Sequence, residues 1–400
     1  MKKILFGKVK VLKKEVHLLT IIWFAFALVA AVVQLLWHSL RNFMIFRGVF
    51  WHVLQQTNLY TEYPKEYLDT NHYGPAFSLF VAPFAILPVT IGVLLWALVN
   101  AWVLYFAIRK LPLPQKDQLI IVAIVAIEMM TAMHNLQFNI MLSGWMVLAF
   151  VLVEQRRDFW ATLFIAAGFL VKLYGIAAIC FFLFSKEKFL FAWSFVWWCT
   201  VLVLVPMLYS SPGFIIQCYH DWFESLVLKN IKNSDIAASG GMQDISVMGM
   251  LRRVTGVYIS NLWIICPAVF LIMASFTRIK KNTSLKFRLR YLAILLITVV
   301  IFSTSAESST YVIAVTGVGI WYVLDKEEHA KRSNYILGLV FLFTILSSTD
   351  FCPGYLKYHF IRPYSLKAFP ALLVWLTLLI ELVFKKDIKS KEILKPSETC

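Results

Sequence analysis

Apolar runs separated by short polar breaks make up most of the chain. They fall near 18–37, 76–87, 89–108, 119–133, 137–153, 159–171, 173–184, 189–209, 257–276, 291–304, 309–324, 335–348 and 368–384. A straight helix needs about 20 apolar residues to cross a bilayer, so several of these runs are too short to cross alone. Short apolar pieces of that kind line cavities inside membrane proteins. The main early polar interruption, 38–75, reads in two parts. Phe43, Phe46, Phe50, Val53 and Leu54 recur at helical spacing, while Asn42, His52, Gln55 and Gln56 fall off that stripe. This predicts an amphipathic helix lying at a bilayer surface. From Asn58 to Pro75 the stretch is rich in Tyr60, Tyr63, Tyr67 and Tyr73 among the acids Glu62, Glu66 and Asp69. Rings and carboxylates beside a greasy helix suit a lipid-carried sugar; they equally suit an ordinary loop with interfacial aromatics.

Composition decides the class. With 60% hydrophobic and 15% charged residues and a mean hydropathy of +0.73, the chain reads as an all-α polytopic membrane protein. Lysines crowd the first residues and an apolar span follows from Leu18 to Trp37, which predicts an uncleaved signal-anchor. Basic residues then set the topology. If 76–108 makes one net crossing, a short re-entrant piece ending at Pro88 and then a full span, the strongly basic loops share the side of the N-terminus. They are 109–116, 156–157, 186–188, 278–290, 326–332 and the tail from Lys385, and they hold most of the 38 Lys and Arg. About twelve crossings with both termini cytoplasmic follow. The net charge of +16 is explained by these loops facing anionic lipid, with no nucleic-acid partner. No Walker loop, Rossmann glycine pattern, zinc spacing or HExxH motif occurs, and the cysteines show no CxxC spacing, so no metal or cofactor is expected.

That topology collects the polar exceptions on the outer face. They are the 38–75 stretch; His134, Asn135, Gln137 and Asn139; Lys172 and Tyr174; Asp244, Arg252 and Arg253 in the outer loop 210–256; and Glu307. A charge at membrane depth has a partner or a task. Lys172, between two apolar runs, is placed either to meet a lipid phosphate or to snorkel to the headgroups. Glu128, inside a span, needs a partner, with Lys172 and His134 the candidates.

Tyr73-Gly74-Pro75-Ala76-Phe77 with LFVAPFAILP and LLWALVNAWVLYFAIRKLPL resembles the first half of glycosyltransferase family 87, polytopic enzymes of the GT-C class. The resemblance continues in HNLQFNIMLSGWMVLAFVLVEQRRDFWATLFIAAGFLVKLYG, whose lysine is Lys172, and in SVMGMLRR and AESSTYVIAVTGVGIWY; it spans roughly residues 20 to 380. It implies one GT-C-like helical domain over 18–384, flanked by a basic cytoplasmic segment 1–17 and a cytoplasmic tail 385–400, in a bacterial plasma membrane. It also implies transfer of a hexose such as mannose, or a pentose, from a polyprenyl-phosphate donor to a glycan or glycolipid hydroxyl on the non-cytoplasmic face, with inversion. Lys172, aided by Arg252 or Arg253, would hold the donor phosphate. Asn42, Tyr73, His134, Asn135, Gln137, Asn139 and Tyr174 would hold sugar or acceptor. The class places a basic aspartate just after the first span, where Asn42 stands here, and an amide cannot take that proton. The base is therefore expected at Asp69, Glu62, Glu66 or Glu307, with Asp69 preferred; a helix or turn cap is the other reading of Asp69. The rival class is a secondary transporter or flippase for lipid-linked sugars, which would also have broken spans and buried charges.

Overall fold

The computed structural model describes residues 7–11, 14–235, 243–276 and 284–384. Parts of the basic N-terminal segment (1–6 and 12–13), the start of the basic block at 278–283 and the tail 385–400 lie outside the described residues. A β-hairpin of β1 (Lys8–Val11) and β2 (Lys14–His17), which the apolar pattern did not announce, leads into α1 (Leu18–Leu36). There follow α2 (Arg41–Gln55), α3 (Phe77–Ala85), α4 (Val89–Lys110), α5 (Gln115–His134), α6 (Asn139–Glu154) and α7 (Asp158–Val171). A 3₁₀ segment, Leu173–Leu183, then precedes α8 (Lys188–Leu204), α9 (Pro212–Ser234), α10 (Val247–Thr255) and α11 (Leu262–Phe276). The last part holds α12 (Leu285–Ile301), α13 (Tyr311–Asp325), α14 (Ala330–Leu339) with a π-helical continuation to Ile345, and α15 (Ala368–Phe384). One apolar core threads the bundle from Leu19 to Leu382. Leu18–Leu36, Val89–Lys110, Gln115–His134 and Lys188–Leu208 are long and apolar enough to cross a membrane, by length and composition.

Hydrogen bonds and ion pairs sort the loops into two ends. At one end His17 meets Gln115 at 3.0 Å, Lys326 pairs with Asp117, Arg288 reaches Glu154 at 2.7 Å, and Arg290 reaches Glu381 at 2.9 Å. Arg332 pairs with both Asp325 and Glu381. Among the described residues, Arg290 and Arg332 thus share Glu381. The opposite end joins Asn42 to Asn135, Asn58 to Asp221, Tyr174 to Ser303, Gln243 to Glu307 and Arg253 to Ser365. α3 stays at this second end: Ser78 meets Tyr209 at 2.8 Å, while Arg47 and Trp51 donate to Leu87 O and Ala85 O. Pro88, which lacks an N–H, starts α4, and 76–110 makes one net run between the ends.

The helix expected on the 43–54 stripe is present as α2, with Phe43, Phe46 and Val53 buried. Two of its positions differ. Leu54 is exposed, and His52 is buried because its ring packs at a tilt on Tyr63 with centroids 4.0 Å apart and Nε2 meets Glu66 at 3.2 Å. Tertiary packing against the tyrosine-rich loop, and not the bilayer alone, selects the buried face. Glu128 also departs from expectation. Its partner is neither Lys172 nor His134 but Lys367, at 2.8 Å, while His134 meets Gln34 at 3.3 Å.

Two glycines set the most consequential contacts. After α7, residue 172 is extended and the chain turns back, so the 3₁₀ segment lies against α7: a Cβ on Gly175 would sit 2.2 Å from Gly168 C. Gly74 N donates to Val171 O at 3.1 Å, and a Cβ there would sit 2.0 Å from Leu170 O. Neither neighbour is a flexible side-chain tip. Close approach of this kind is how helices without a hydrophobic driving force between them associate in lipid. Gly74→Ala should therefore destabilise the fold by about 1–3 kcal/mol, the usual cost of overpacking, seen as a lower thermal midpoint in detergent. An unchanged midpoint would contradict the contact.

Candidate active site

The loop before α3 is built to hold Tyr73. Asn71 imitates backbone: its Oδ1 accepts from Tyr73 N and its Nδ2 donates to Tyr73 O, both at 3.0 Å. Tyr60 OH donates to the same carbonyl at 3.1 Å, and the Trp222 indole donates to His72 O at 2.9 Å. The Tyr73 ring stacks on Phe77 at 4.8 Å and meets Phe46 edge-on at 5.0 Å, within an aromatic core that includes Trp96 and Phe138. Its hydroxyl donates to Gln137 Oε1 at 3.1 Å.

Lys172 stands beside that ring. It occupies the break between α7 and the 3₁₀ segment, and its Nζ donates to Asn139 Oδ1 at 2.8 Å. The ammonium also lies 5.6 Å from the Tyr73 ring centroid and 5.1 Å from that of Tyr174. Asn139 is 1% exposed and opens α6, whose N-terminus adds partial positive charge. Its Nδ2 is buried with no hydrogen-bond partner among the described residues. An unspent buried donor beside an ammonium is a costly arrangement that an anionic or polyhydroxylated ligand would relieve.

Glu307 and Lys229 complete the cluster. Glu307 caps the turn Ser308–Thr310: its carboxylate accepts from Thr310 N and from Gln243 Nε2, the latter at 2.9 Å. It lies within electrostatic reach of Lys172, Lys229 and Tyr73. Lys229 projects from α9, which is pinned here by Asn233 Nδ2 donating to Thr304 O at 3.1 Å. Burial lowers the Lys229 pKa, and the carboxylates of Glu307 and Asp69 oppose that shift. Lys229 was not singled out from sequence; on α9 it is one of several polar residues along a surface helix. Its position on the face of Trp222 and Asn233, opposite the apolar Ile216, Phe223 and Ile231, was the available signal.

The remaining candidates divide. Gln137 and Asn139 face the cluster, whereas His134 and Asn135 hold α1 and α2, with Asn42 Nδ2 donating to Asn135 O at 2.8 Å. Asp69 is exposed, and its Oδ1 accepts from Thr70 N at 2.8 Å, a contact with the adjacent residue. Glu62 is exposed, and Glu66 is engaged by His52. Arg252 and Arg253 brace their own loop. Buried Arg252 binds Asp244, Ile259 O and Asn261 Oδ1, and Arg253 binds Asp244 O, Gln243 O and Ser365. Asp244, which the sequence grouped with the site, is their counter-ion.

Beside Lys172, a cavity of about 330 Å³ has a polar mouth of Tyr174, Asn230, Asn261, Ser303 and Thr304. It runs past Ala177 and Val299 into a second cavity of about 220 Å³ between the 3₁₀ segment, α11 and α12, lined by Ile272, Met273 and Leu295 among others. The two cavities share Ala177 and Val299, and polar side chains are more frequent in the lining of the first than of the second.

His72 gives a pH test of this packing. Burial, then the ammonium groups of Lys229, Lys172 and Lys232, lower its pKa from 6.5 to about 3. The unfolded chain therefore takes up this proton as pH falls below about 6.5, while the folded chain keeps the imidazole neutral until far lower. The stability contributed by neutral His72 is present above about pH 6.5 and is lost progressively as pH falls toward about 3. The wild-type thermal midpoint should drop more between about pH 7 and 5 than that of His72→Gln. Parallel pH profiles would contradict the assignment.

The family model described as glycosyltransferase family 87 matches residues 71–304, more than half of the chain. The match takes in His72, Tyr73, Gln137, Asn139, Lys172, Tyr174 and Lys229, and Glu307 lies just beyond it. No curated protein matches the chain. With apolar helices long enough to span a bilayer and this match, the chain is an integral membrane glycosyltransferase and belongs to glycosyltransferase family 87.

Proposed function

We propose that the protein transfers a sugar, a hexose such as mannose or a pentose, from a polyprenyl-phosphate donor to a hydroxyl of a glycan or glycolipid, with inversion. One observation carries this reading: the ammonium groups of Lys172 and Lys229 and the Glu307 carboxylate act on one another through space, Lys172 holds the Asn139 amide with its unspent donor, and the neighbours Leu173 and Asn230 line an adjoining cavity. The cavities take the isoprenoid, and Lys172 with Lys229 takes the phosphate. Glu307 is the general base; Asp69, the other carboxylate acting on Lys229, is the second candidate. As the acceptor oxygen bonds to the anomeric carbon, its proton passes to the carboxylate. The bond from that carbon to the phosphate oxygen breaks, and polyprenyl monophosphate leaves with its new charge held by the lysines. Gln137, Asn139, Tyr73 and Tyr174 surround the sugar. The basic end faces the cytoplasm, in keeping with the positive-inside rule, and the chain crosses about twelve times with transfer on the other face.

The test is to incubate purified protein with labelled polyprenyl-phosphate sugars and a lipid-linked acceptor and to measure glycosylated product. Lys172→Ala and Glu307→Gln should each lower kcat by about 10²–10³-fold while the thermal midpoint holds, with Asp69→Asn assayed alongside. Full activity in a folded Lys172→Ala variant would remove that lysine from the phosphate site. Lipid scrambling without product would favour the flippase reading.

A further inference from the structure

Lys367 and Glu128 form a buried ion pair that the chemistry above does not use. Lys367 is 3% exposed and Glu128 0%, and Nζ meets Oε1 at 2.8 Å. The same ammonium donates to Ser308 Oγ at 2.9 Å, to Ser308 O at 3.2 Å and to Ser348 Oγ, and it lies 4.9 Å from the Tyr311 ring centroid. The Ser308 and Ser348 hydroxyls meet at 2.8 Å. An ammonium has three N–H donors, so these oxygens use its full capacity and none is left for a ligand.

What this cation grips is the turn that presents Glu307. Ser308 is the first residue of that turn and Glu307 its cap, so a shift at Ser308 is passed directly to the carboxylate. Glu307 is tied on its other flank by Gln243 and Thr310, but those bonds act on the carboxylate and on the turn itself. Lys367 ties the turn to α5 through Glu128, alongside a longer link from Ser308 through Ser348 to the same carboxylate. A buried pair is weak evidence for stability, because apolar replacements of both partners are often tolerated. A charge pair at such depth points to a task, and the turn supplies one.

We infer that Lys367, held by Glu128, is a positioning residue that fixes the Ser308 turn and so aims Glu307 at the acceptor hydroxyl. The inference rests on the proposed transfer reaction with Glu307 as base. Misplacing a reacting group by about 1 Å can cost about 10²-fold in rate. In full-length protein, Lys367→Met with Glu128→Leu should keep the thermal midpoint but lower kcat by about 10–100-fold. The donor KM should stay unchanged, because Lys172 and Lys229 are untouched. Lys367→Arg, keeping charge and reach, should recover most of the rate. Ser308→Ala removes one of the two grips without stranding a charge and should lower kcat by less, again at constant KM; it decides the matter if the double variant does not fold. Wild-type kcat in the folded double variant or in Ser308→Ala, with Glu307→Gln inactive, overturns the positioning role alone. Full activity in Glu307→Gln overturns the base assignment, and the positioning role with it.

Discussion

An ammonium between two apolar helical segments must find oxygen, and the candidate site is arranged around how little of it Lys172 finds. One of its three donors is spent on Asn139, and the Tyr73 and Tyr174 rings cover two of its sides without accepting a full hydrogen bond. Holding it there needs a broken helix, since a continuous one would carry residue 172 onward along α7. The break is possible because Gly168 and Gly175 let the returning backbone lie against α7, and because Gly74 lets the Tyr73 loop bond to the carbonyl of Val171. Remove either close approach and the lysine loses both its depth and its neighbours.

Positive charges in the bundle are held in two ways. At the basic end Arg288, Arg290, Arg332 and Lys326 are each matched by a carboxylate from another helix. At the site end Lys229 makes no ion pair or hydrogen bond among the described residues and is balanced only through the field of Glu307 and Asp69. Ion pairs hold helices together; cations balanced only through space are available to an anion that arrives from outside. The same contrast separates Lys172 and Lys229 from Arg252 and Arg253, which have the right charge but have committed it to Asp244 and to loop carbonyls.

Much of this was legible because lipid restricts what a sequence can do. Apolar run lengths located the helices. The single net run of 76–110 followed from the positions of the lysines and arginines; Lys172 stood out because a charge between apolar runs is costly, and Gln137, Asn139 and Tyr73 stood out through the family resemblance and their place at the ends of apolar runs. The pattern was silent where long-range contacts decide. Glu128 and Lys367 are 239 positions apart, and nothing local in either segment names the other. His52 reads as a polar position off the apolar stripe, yet it is buried once Tyr63 and Glu66 fold over it. In the 210–256 loop, arginines and lysines look interchangeable by charge. Their roles are set by whether a carboxylate such as Asp244 lies close by in the fold.

The matched stretch 71–304 supplies the lysines, the amides and, in residues 173–299, most of the cavity lining. The Glu307 turn lies beyond it and is held both from within the match, by Gln243, and from Ser348 and Lys367 in the last part of the chain. In the proposed reaction the lysines assigned to the leaving group and the turn assigned to the base come from different parts of the bundle, brought together in part by the packing of α5, α13 and the 346–367 segment. In-line displacement needs the two on opposite sides of one carbon atom, and a single contiguous segment places its side chains on one side more easily than on two. A buried ion pair spanning α5 and residue 367 meets that demand, because it ties the base-bearing turn to the helix whose end leads directly into the Gln137 and Asn139 turn.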